Sequence, residues 1–301
     1  MQSLLRLSHH TSTIASDTTL PANIPEFKKT PTKASIQKLF SLEGRTVVVT
    51  GAGRGLGITL AKAIAEAGGD VICLDVLAEP QNKDWDAVEE ICEVSNSRST
   101  YLQCDITDER AVESTLNKAI AASDRGSRPL QGLVHCAGIQ QMIDAIDYPV
   151  QDFRRILEVN VMGSFIVAKH TARLMRDTGS AGSIVLVASM SGQIANRGIH
   201  CSAYNTSKSA IHQMCRSLAV EWGQHGIRVN TLSPGYIRTA MTDQLLAEKP
   251  ELEKLWMAGA LLNRLGAPDD FKAAVVYMLG DGSSFMTGSD LRVDGGHCAS
   301  A

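Results

Sequence analysis

The sequence predicts an α/β domain in which one doubly wound parallel sheet of about seven strands carries helices on both faces. Two observations point there. Short β-branched and apolar runs alternate with stretches of helical apolar spacing from Leu42 to the end of the chain, the pattern of repeated strand–helix–strand units. A glycine-rich turn, Thr50-Gly-Ala-Gly-Arg-Gly-Leu-Gly57, falls between the first such run and the first helix.

The elements follow in order. Residues 45–50 read as a buried strand. Residues 56–67 read as a helix that turns Leu60, Ala61, Ile64 and Ala65 inward, and 70–75 as the second strand. A helix over 85–94, a strand over 100–104 and a helix capped by Asp108 come next, the carboxylate satisfying free N–H groups of the first turn. Residues 132–136 form the fourth strand, 153–175 two helical segments, 183–188 the fifth strand and 203–222 a long helix. Residues 228–232 form the sixth strand, Pro268 opens a helix at its first position, and 291–294 close the sheet. The alternation runs without a break, so residues 42–301 read as one domain.

Residues 1–41 read as a flexible extension, because 8–35 are rich in Ser, Thr, Pro and Lys with little periodicity. Met1 to Ser16 has no acid, one Arg and several hydroxyls. That composition leans toward a transit peptide, so the expected location is cytoplasmic with mitochondrial import as the alternative. The whole chain of 301 residues has 44% hydrophobic residues and a net charge of -3. Nothing in that balance offers the basic surface a nucleic acid needs, and no apolar run approaches the ~20 residues that span a bilayer. Seven cysteines lack Cys-x-x-Cys spacing and eight histidines lack ligand spacing, so a reducing compartment and no metal are expected.

Tyr204-Asn-Thr-Ser-Lys208 carries the chemistry. Four residues apart on a helix, the phenol and the ammonium share one face. A positive charge beside a phenol favours the phenolate, so Lys208 is expected to lower the Tyr204 pKa toward neutrality. In the glycine turn, Gly51 suits a positive φ, Gly55 leaves the backbone open to a pyrophosphate, and Gly57 permits close packing of the helix. Asp75 ends the second strand 18 residues beyond Gly57. A carboxylate there binds the adenosine ribose hydroxyls and repels a 2′-phosphate, which argues for NAD. Arg54 argues the other way and leaves NADP as the alternative.

With these motifs in this order, the chain resembles the short-chain dehydrogenase/reductase family from about Leu42 to Gly296, and so a single Rossmann-type fold. The resemblance implies that Gly51, Arg54, Gly55, Leu56 and Gly57 hold the cofactor phosphates and Asp75 its ribose. Asp105 and Ile106 of Cys104-Asp-Ile would contact the adenine, and Ala137 and Gly138 would line the cofactor. Here His135-Cys136 stands where the family pattern has two asparagines. Pro234, Gly235, Ile237 and Thr239 would hold the nicotinamide end, together with Tyr204 and Lys208. Tyr204 would be the proton donor and acceptor, and Asn160 would hold a water linking Lys208 to solvent. Ser189 would donate to the substrate oxygen, with Ser191 the alternative by spacing.

The implied activity is hydride transfer between NAD(H) and a ketone or secondary alcohol. Ala188-Ser-Met-Ser-Gly192 and Ile194-Ala-Asn196 resemble a fungal subgroup of ketose reductases and polyol dehydrogenases acting on mannitol, sorbose or D-arabinitol. Polar candidates for the substrate pocket are Gln140, Gln193, Asn196 and His200, with Cys201 lining it. Residues 236–262, with Met241, Leu245, Leu246, Leu252, Leu255, Trp256 and Met257, read as a lid. A secondary-metabolism ketoreductase or alcohol dehydrogenase is the alternative enzyme, and a non-catalytic dinucleotide sensor the alternative outside enzymes. The family's usual assembly implies a homotetramer or homodimer.

Overall fold

The computed structural model describes residues 34–123 and 128–300. In chain order the elements are α1 (Ile36–Phe40), β1 (Thr46–Thr50), α2 (Gly55–Glu66), β2 (Asp70–Asp75), α3 (Asn82–Ser95) and β3 (Ser99–Gln103). Then follow α4 (Glu109–Ser123), β4 (Leu130–His135), α5 (Val150–Leu157), α6 (Ser164–Asp177), β5 (Gly182–Val187) and α7 (Ser202–Trp222). The chain closes with β6 (Ile227–Pro234), α8 (Ala240–Glu248), α9 (Pro250–Gly259), α10 (Lys272–Leu279) and β7 (Asp290–Val293).

The strands form one seven-stranded sheet in the order β3-β2-β1-β4-β5-β6-β7, every pair parallel. Parallel pairing demands crossover helices, and these cover both faces, so the central strands are apolar on both sides. β1 shows the consequence: Val48 packs with Leu116, Val167 and Ile211 beneath α4, α6 and α7. Val47 and Val49 pack with Ile58, Ile64 and Val275 beneath α2 and α10. The strand order reverses between β1 and β4, where such sheets open a crevice beyond the C-terminal ends of their strands.

The sequence-derived elements all recur, with shifts at their ends. β3 begins and ends one residue early. The two segments expected over 153–175 are joined by a π-helical turn, Glu158–Gly163, so the helix is continuous and Asn160 sits in its widened turn. Pro268 starts a short 3₁₀ turn, Pro268–Phe271, before α10. Residues 236–262 contain the helical pair α8 and α9. Most of the stretch assigned to the extension, residues 1–33, lies outside the described residues, as do the side chains of Met241 and Leu245. The last part of that stretch holds α1, capped by the Ser35 hydroxyl and set against α10 through a Phe40–Tyr277 ring contact.

Two glycines of the first turn are fixed by space. Gly51 has φ +65°, and a Cβ there would come 2.7 Å from the Ala137 nitrogen. A Cβ at Gly57 would lie 2.1 Å from the Gly51 carbonyl oxygen, so α2 starts directly against the turn that feeds it. Gly57→Ala forces that backbone apart. It should lower stability by more than about 1 kcal/mol and weaken dinucleotide binding, read by thermal denaturation and by titration with NADH. Unchanged values for both would show that the turn has slack.

Candidate active site

The crevice brings together the ends of β1, β4 and β5 and the N-terminal half of α7. Lys208 is buried, and its Nζ donates to the Val187 carbonyl at the end of β5, 2.8 Å away. The same nitrogen lies 5.6 Å from the centre of the Tyr204 ring. The loop after β4 passes beside it: a Cβ at Gly138 would lie 3.7 Å from Nζ, an ordinary contact, and 3.2 Å from Asn160 Oδ1. Burial pushes the Lys208 pKa down to about 8, and nearby Cys136 acts weakly in the other direction.

Tyr204 departs from expectation in one respect. Its pKa is pushed up to about 12, first by burial, with a hydrogen bond from Ser189 working downward and Cys201 upward. The ammonium of Lys208 does not lower it. The short contact of that ammonium is the Val187 carbonyl rather than the phenol, and desolvation of the phenolate outweighs the rest. The i, i+4 spacing placed the two groups correctly, but it could not report that desolvation.

Ser189 caps the 3₁₀ turn Met190–Gly192, its hydroxyl oxygen accepting from the Ser191 nitrogen at 3.1 Å. Of the two serines, Ser189 is the one close enough to lower the Tyr204 pKa. The Asn160 side chain makes three hydrogen bonds. Its amide donates to Ile139 O at 2.9 Å and to Ser207 Oγ at 3.0 Å, and its Oδ1 accepts from Ile139 N at 2.8 Å. Asn160 therefore clamps the loop after β4 onto α7 one residue before Lys208. Sequence spacing gave no sign of Ser207 in this contact.

On the other side of the crevice, Asp75 accepts from Gly53 N at 2.8 Å and from Leu77 N at 3.0 Å. A carboxylate offers about four lone-pair sites, so it keeps acceptors for a ribose. Arg54 is exposed at the N-cap of α2, and Leu56 is partly buried in the first turn. Asp105 accepts from the nitrogen and hydroxyl of Thr107. These backbone and side-chain hydrogen bonds hold its pKa low. Ile106 is buried against the bare Cα of Gly163. Ala137 stands over Gly51, and Pro234 ends β6, where Gly235 N donates to Val293 O. Ile237 bridges Gly266, and Thr239 opens α8 through Thr242.

These residues fit a dinucleotide. Gly55 has φ +60° and nothing within 4 Å of where its Cβ would be, an open cradle at the N-terminus of a helix whose first N–H groups lack a side-chain cap. In place of the family's asparagine, His135 is buried with Nδ1 2.8 Å from Thr50 Oγ1. Burial drives its pKa down to about 3, so it ties β4 to β1 as a neutral ring.

A family model described as enoyl-(acyl carrier protein) reductase matches residues 51–297. A short-chain dehydrogenase/reductase of Aspergillus versicolor, notP', is 48% identical over 88% of this chain and 91% of that protein. Galactitol 2-dehydrogenase (L-tagatose-forming) of Cereibacter sphaeroides is 37% identical over 86% and 97% of the two chains. Among solved structures, the NADPH-dependent 3-quinuclidinone reductase of Rhodotorula rubra superposes with a TM-score of 0.80 at 32% identity, covering 91% of this chain and 99% of that one. This chain belongs to the short-chain dehydrogenase/reductase family.

It is an NAD(P)-dependent oxidoreductase acting on CH–OH groups. Over its crevice lies a separate apolar cluster. Leu246 of α8 and Leu252 and Trp256 of α9 pack with Ile199 and Cys201, and Tyr204 and Tyr236 lie against them. The Tyr236 ring stacks on Trp256 at 4.4 Å and meets His297 edge-on at 5.1 Å. Neither Tyr236 nor His297 was singled out as a wall of this region, because their contacts join parts of the chain far apart in sequence.

The polar pocket candidates are largely committed elsewhere. Gln193 is held by Asp290 and Arg292. Asn196 donates to Tyr236 Oη at 2.9 Å. His200 is exposed and paired with Asp144. Gln140 is exposed. Cys201 is buried, and burial raises its pKa, so it lines the site as an inert thiol.

The Lys208 pKa carries a stability consequence. A buried base titrating near 8 rather than 10.5 costs the fold on the order of 3 kcal/mol while it is charged. The penalty is full below pH about 8 and fades as pH rises toward the unfolded value of 10.5. Lys208→Met should therefore be more heat-stable than the parent at pH 7, with the gap closing at high pH, while turnover is lost. A lower melting temperature at pH 7 would contradict this.

Proposed function

We propose that the enzyme transfers hydride between NAD(H) and a ketose or polyol, with Tyr204, Lys208, Ser189 and Asn160 as its working residues. The observation that carries this is the convergence of the Ser189 hydroxyl, the Tyr204 phenol and the buried Lys208 amine at one crevice. When bound, the nicotinamide ring supplies or takes the hydride. Tyr204 gives the alkoxide its proton in reduction and removes one in oxidation. Ser189 donates to the substrate oxygen, a fixed donor aimed at developing negative charge. Lys208, whose ammonium does not lower the Tyr204 pKa in this structure, would hold the nicotinamide ribose hydroxyls. Asn160 holds the β4 loop against α7, which keeps Gly138 open beside Lys208. Gly51, Gly55, Gly57, Asp75, Asp105, Ile106, Ala137, Gly138, Pro234, Gly235, Ile237 and Thr239 would seat the dinucleotide.

Two points of this reading rest on single groups. The preference for NAD rests on the Asp75 carboxylate, which would meet a 2′-phosphate with like charge. The ketose or polyol substrate rests on relatives, the galactitol 2-dehydrogenase above and a D-arabinitol 2-dehydrogenase (ribulose-forming) of Candida tropicalis, 33% identical over 86% and 94% of the chains. A second reading, a compact apolar ketone, is favoured by the apolar cluster beside Tyr204. Tyr204→Phe should cut turnover by at least a thousandfold, roughly the upper part of the range for general acid–base loss, while NADH still binds. Near-normal turnover would remove Tyr204 from the chemistry. Asp75→Ser should narrow the preference for NADH over NADPH at least tenfold in kcat/KM. A panel of ketoses and cyclic ketones read by NADH absorbance separates the two substrates.

We also propose assembly into a homodimer or homotetramer. Val150 is 65%, Met162 53% and Phe165 36% exposed along α5 and the start of α6, a run of large apolar side chains facing outward. Light scattering should give a dimer or larger, and Met162→Glu should shift the mass downward. A monomeric parent enzyme would end the proposal.

A further inference from the structure

The turn that carries Ser189 is tied at its far end to β7. Gln193 follows the turn directly, and its amide is shared between two charged residues of that strand. Its Nε2 donates to Asp290 Oδ2 at 2.6 Å, and its Oε1 accepts from Arg292 Nη1 at 2.8 Å. The other oxygen of Asp290 accepts from Thr231 Oγ1 at 2.7 Å and Ser233 Oγ at 2.5 Å, both on β6. His212 of α7 lies 3.5 Å from that oxygen through Nε2, which also meets Ser233 Oγ at 2.9 Å.

The second ring nitrogen of His212 faces the turn: a Cβ at Gly192 would come 2.8 Å from it. Ser209 Oγ of α7 donates to the Gly192 carbonyl at 2.5 Å. Burial raises the Asp290 pKa, but the hydrogen bonds from His212, Ser233 and Thr231 outweigh it and leave the net value low. Asp290 is therefore an anion at neutral pH, and it joins β6, β7, α7 and the serine turn.

The turn's own bonds fix its shape: Gly192 N donates to Ser189 O, Gln193 N and Ile194 N donate to Met190 O, and the Ser189 hydroxyl accepts from Ser191 N. Its anchorage to β7 runs through the Gln193 side chain. A shift of about 1 Å in a reacting group can lower a rate about a hundredfold. We propose that Asp290, acting through Gln193, is a positioning residue that holds the Ser189 hydroxyl against the Tyr204 phenol. This rests on the roles proposed above for Ser189 and Tyr204. It also gives Gln193, first read as a pocket residue, a different task.

The test uses the full-length enzyme, NAD and the alcohol that corresponds to the best carbonyl substrate of the panel. Gln193→Ala and Asp290→Ala should each lower kcat about tenfold and leave NADH affinity unchanged. Ser189, Cys201 and Lys208 are the groups facing the phenol, and the Ser189 hydrogen bond is the one that lowers its pKa. Both variants should therefore move the pH–rate profile of oxidation toward higher pH, as Ser189→Ala does. In a Ser189→Ala background neither should add a further loss.

Full turnover in Gln193→Ala, a loss without the pH shift, or losses that multiply with Ser189→Ala would overturn the proposal. If Asp290→Ala fails to fold, Gln193→Ala carries the test, since its amide is exposed. Full turnover in Ser189→Ala would refute the reading of Ser189 and this role with it. A large loss in Ser189→Ala with a silent Gln193→Ala would refute the positioning role alone.

Discussion

The site depends on one buried amine. Lys208 has left water and keeps its charge by donating to a backbone carbonyl at the end of β5. An ammonium in such a place is strongly destabilising unless partners surround it, and the nearby fold is organised around that need. α7 runs across the sheet so that Lys208 reaches Val187. The Ser189 turn lies against the backbone of Lys208, where a Cβ on Gly192 would come 2.7 Å from its carbonyl carbon. The loop after β4 approaches through Gly138, held by Asn160. Burial of the amine, with no carboxylate partner among the described residues, is what lowers its pKa at this point.

The same geometry explains the high Tyr204 pKa. The phenol lies beneath the apolar cluster of α8 and α9, with the ammonium 5.6 Å from its ring centre and bonded elsewhere. The proton is thus held firmly on Tyr204 until the surroundings change. In the role proposed for Tyr204, a neutral phenol is the form that donates in reduction. Trp256 and Leu252 belong to the apolar cluster against which Tyr204 packs, while Ser189 follows directly on the interior strand β5.

Much of this was legible in the sequence because the chemistry sits on local segments. Tyr204 and Lys208 share a helix, Gly51 to Gly57 form one turn, and Ser189 follows closely on a strand. Apolar runs located the central strands because parallel strands buried on both faces are continuous apolar runs, and the edge strands β3 and β7, which are only partly buried, followed from the strand–helix alternation. What stayed hidden depends on partners distant in sequence. Gln193 and Asp290 are 97 positions apart, so Gln193 read as a free polar side chain. The π-helical turn at Asn160 leaves no compositional mark. The Tyr204 pKa turned on desolvation by burial, which spacing within α7 cannot report. α1 was absorbed into the extension because five residues are too few for a periodic signal.

The most direct measurement is the titration of the Lys208 side-chain nitrogen, followed by NMR of isotope-labelled lysine in the ligand-free enzyme and assigned with Lys208→Met. The account requires one lysine that titrates near 8, lost in that variant. A Lys208 that titrates at the ordinary value of 10.5 would mean that its surroundings offset the cost of burial, and the account of a site built around a destabilised amine would fail.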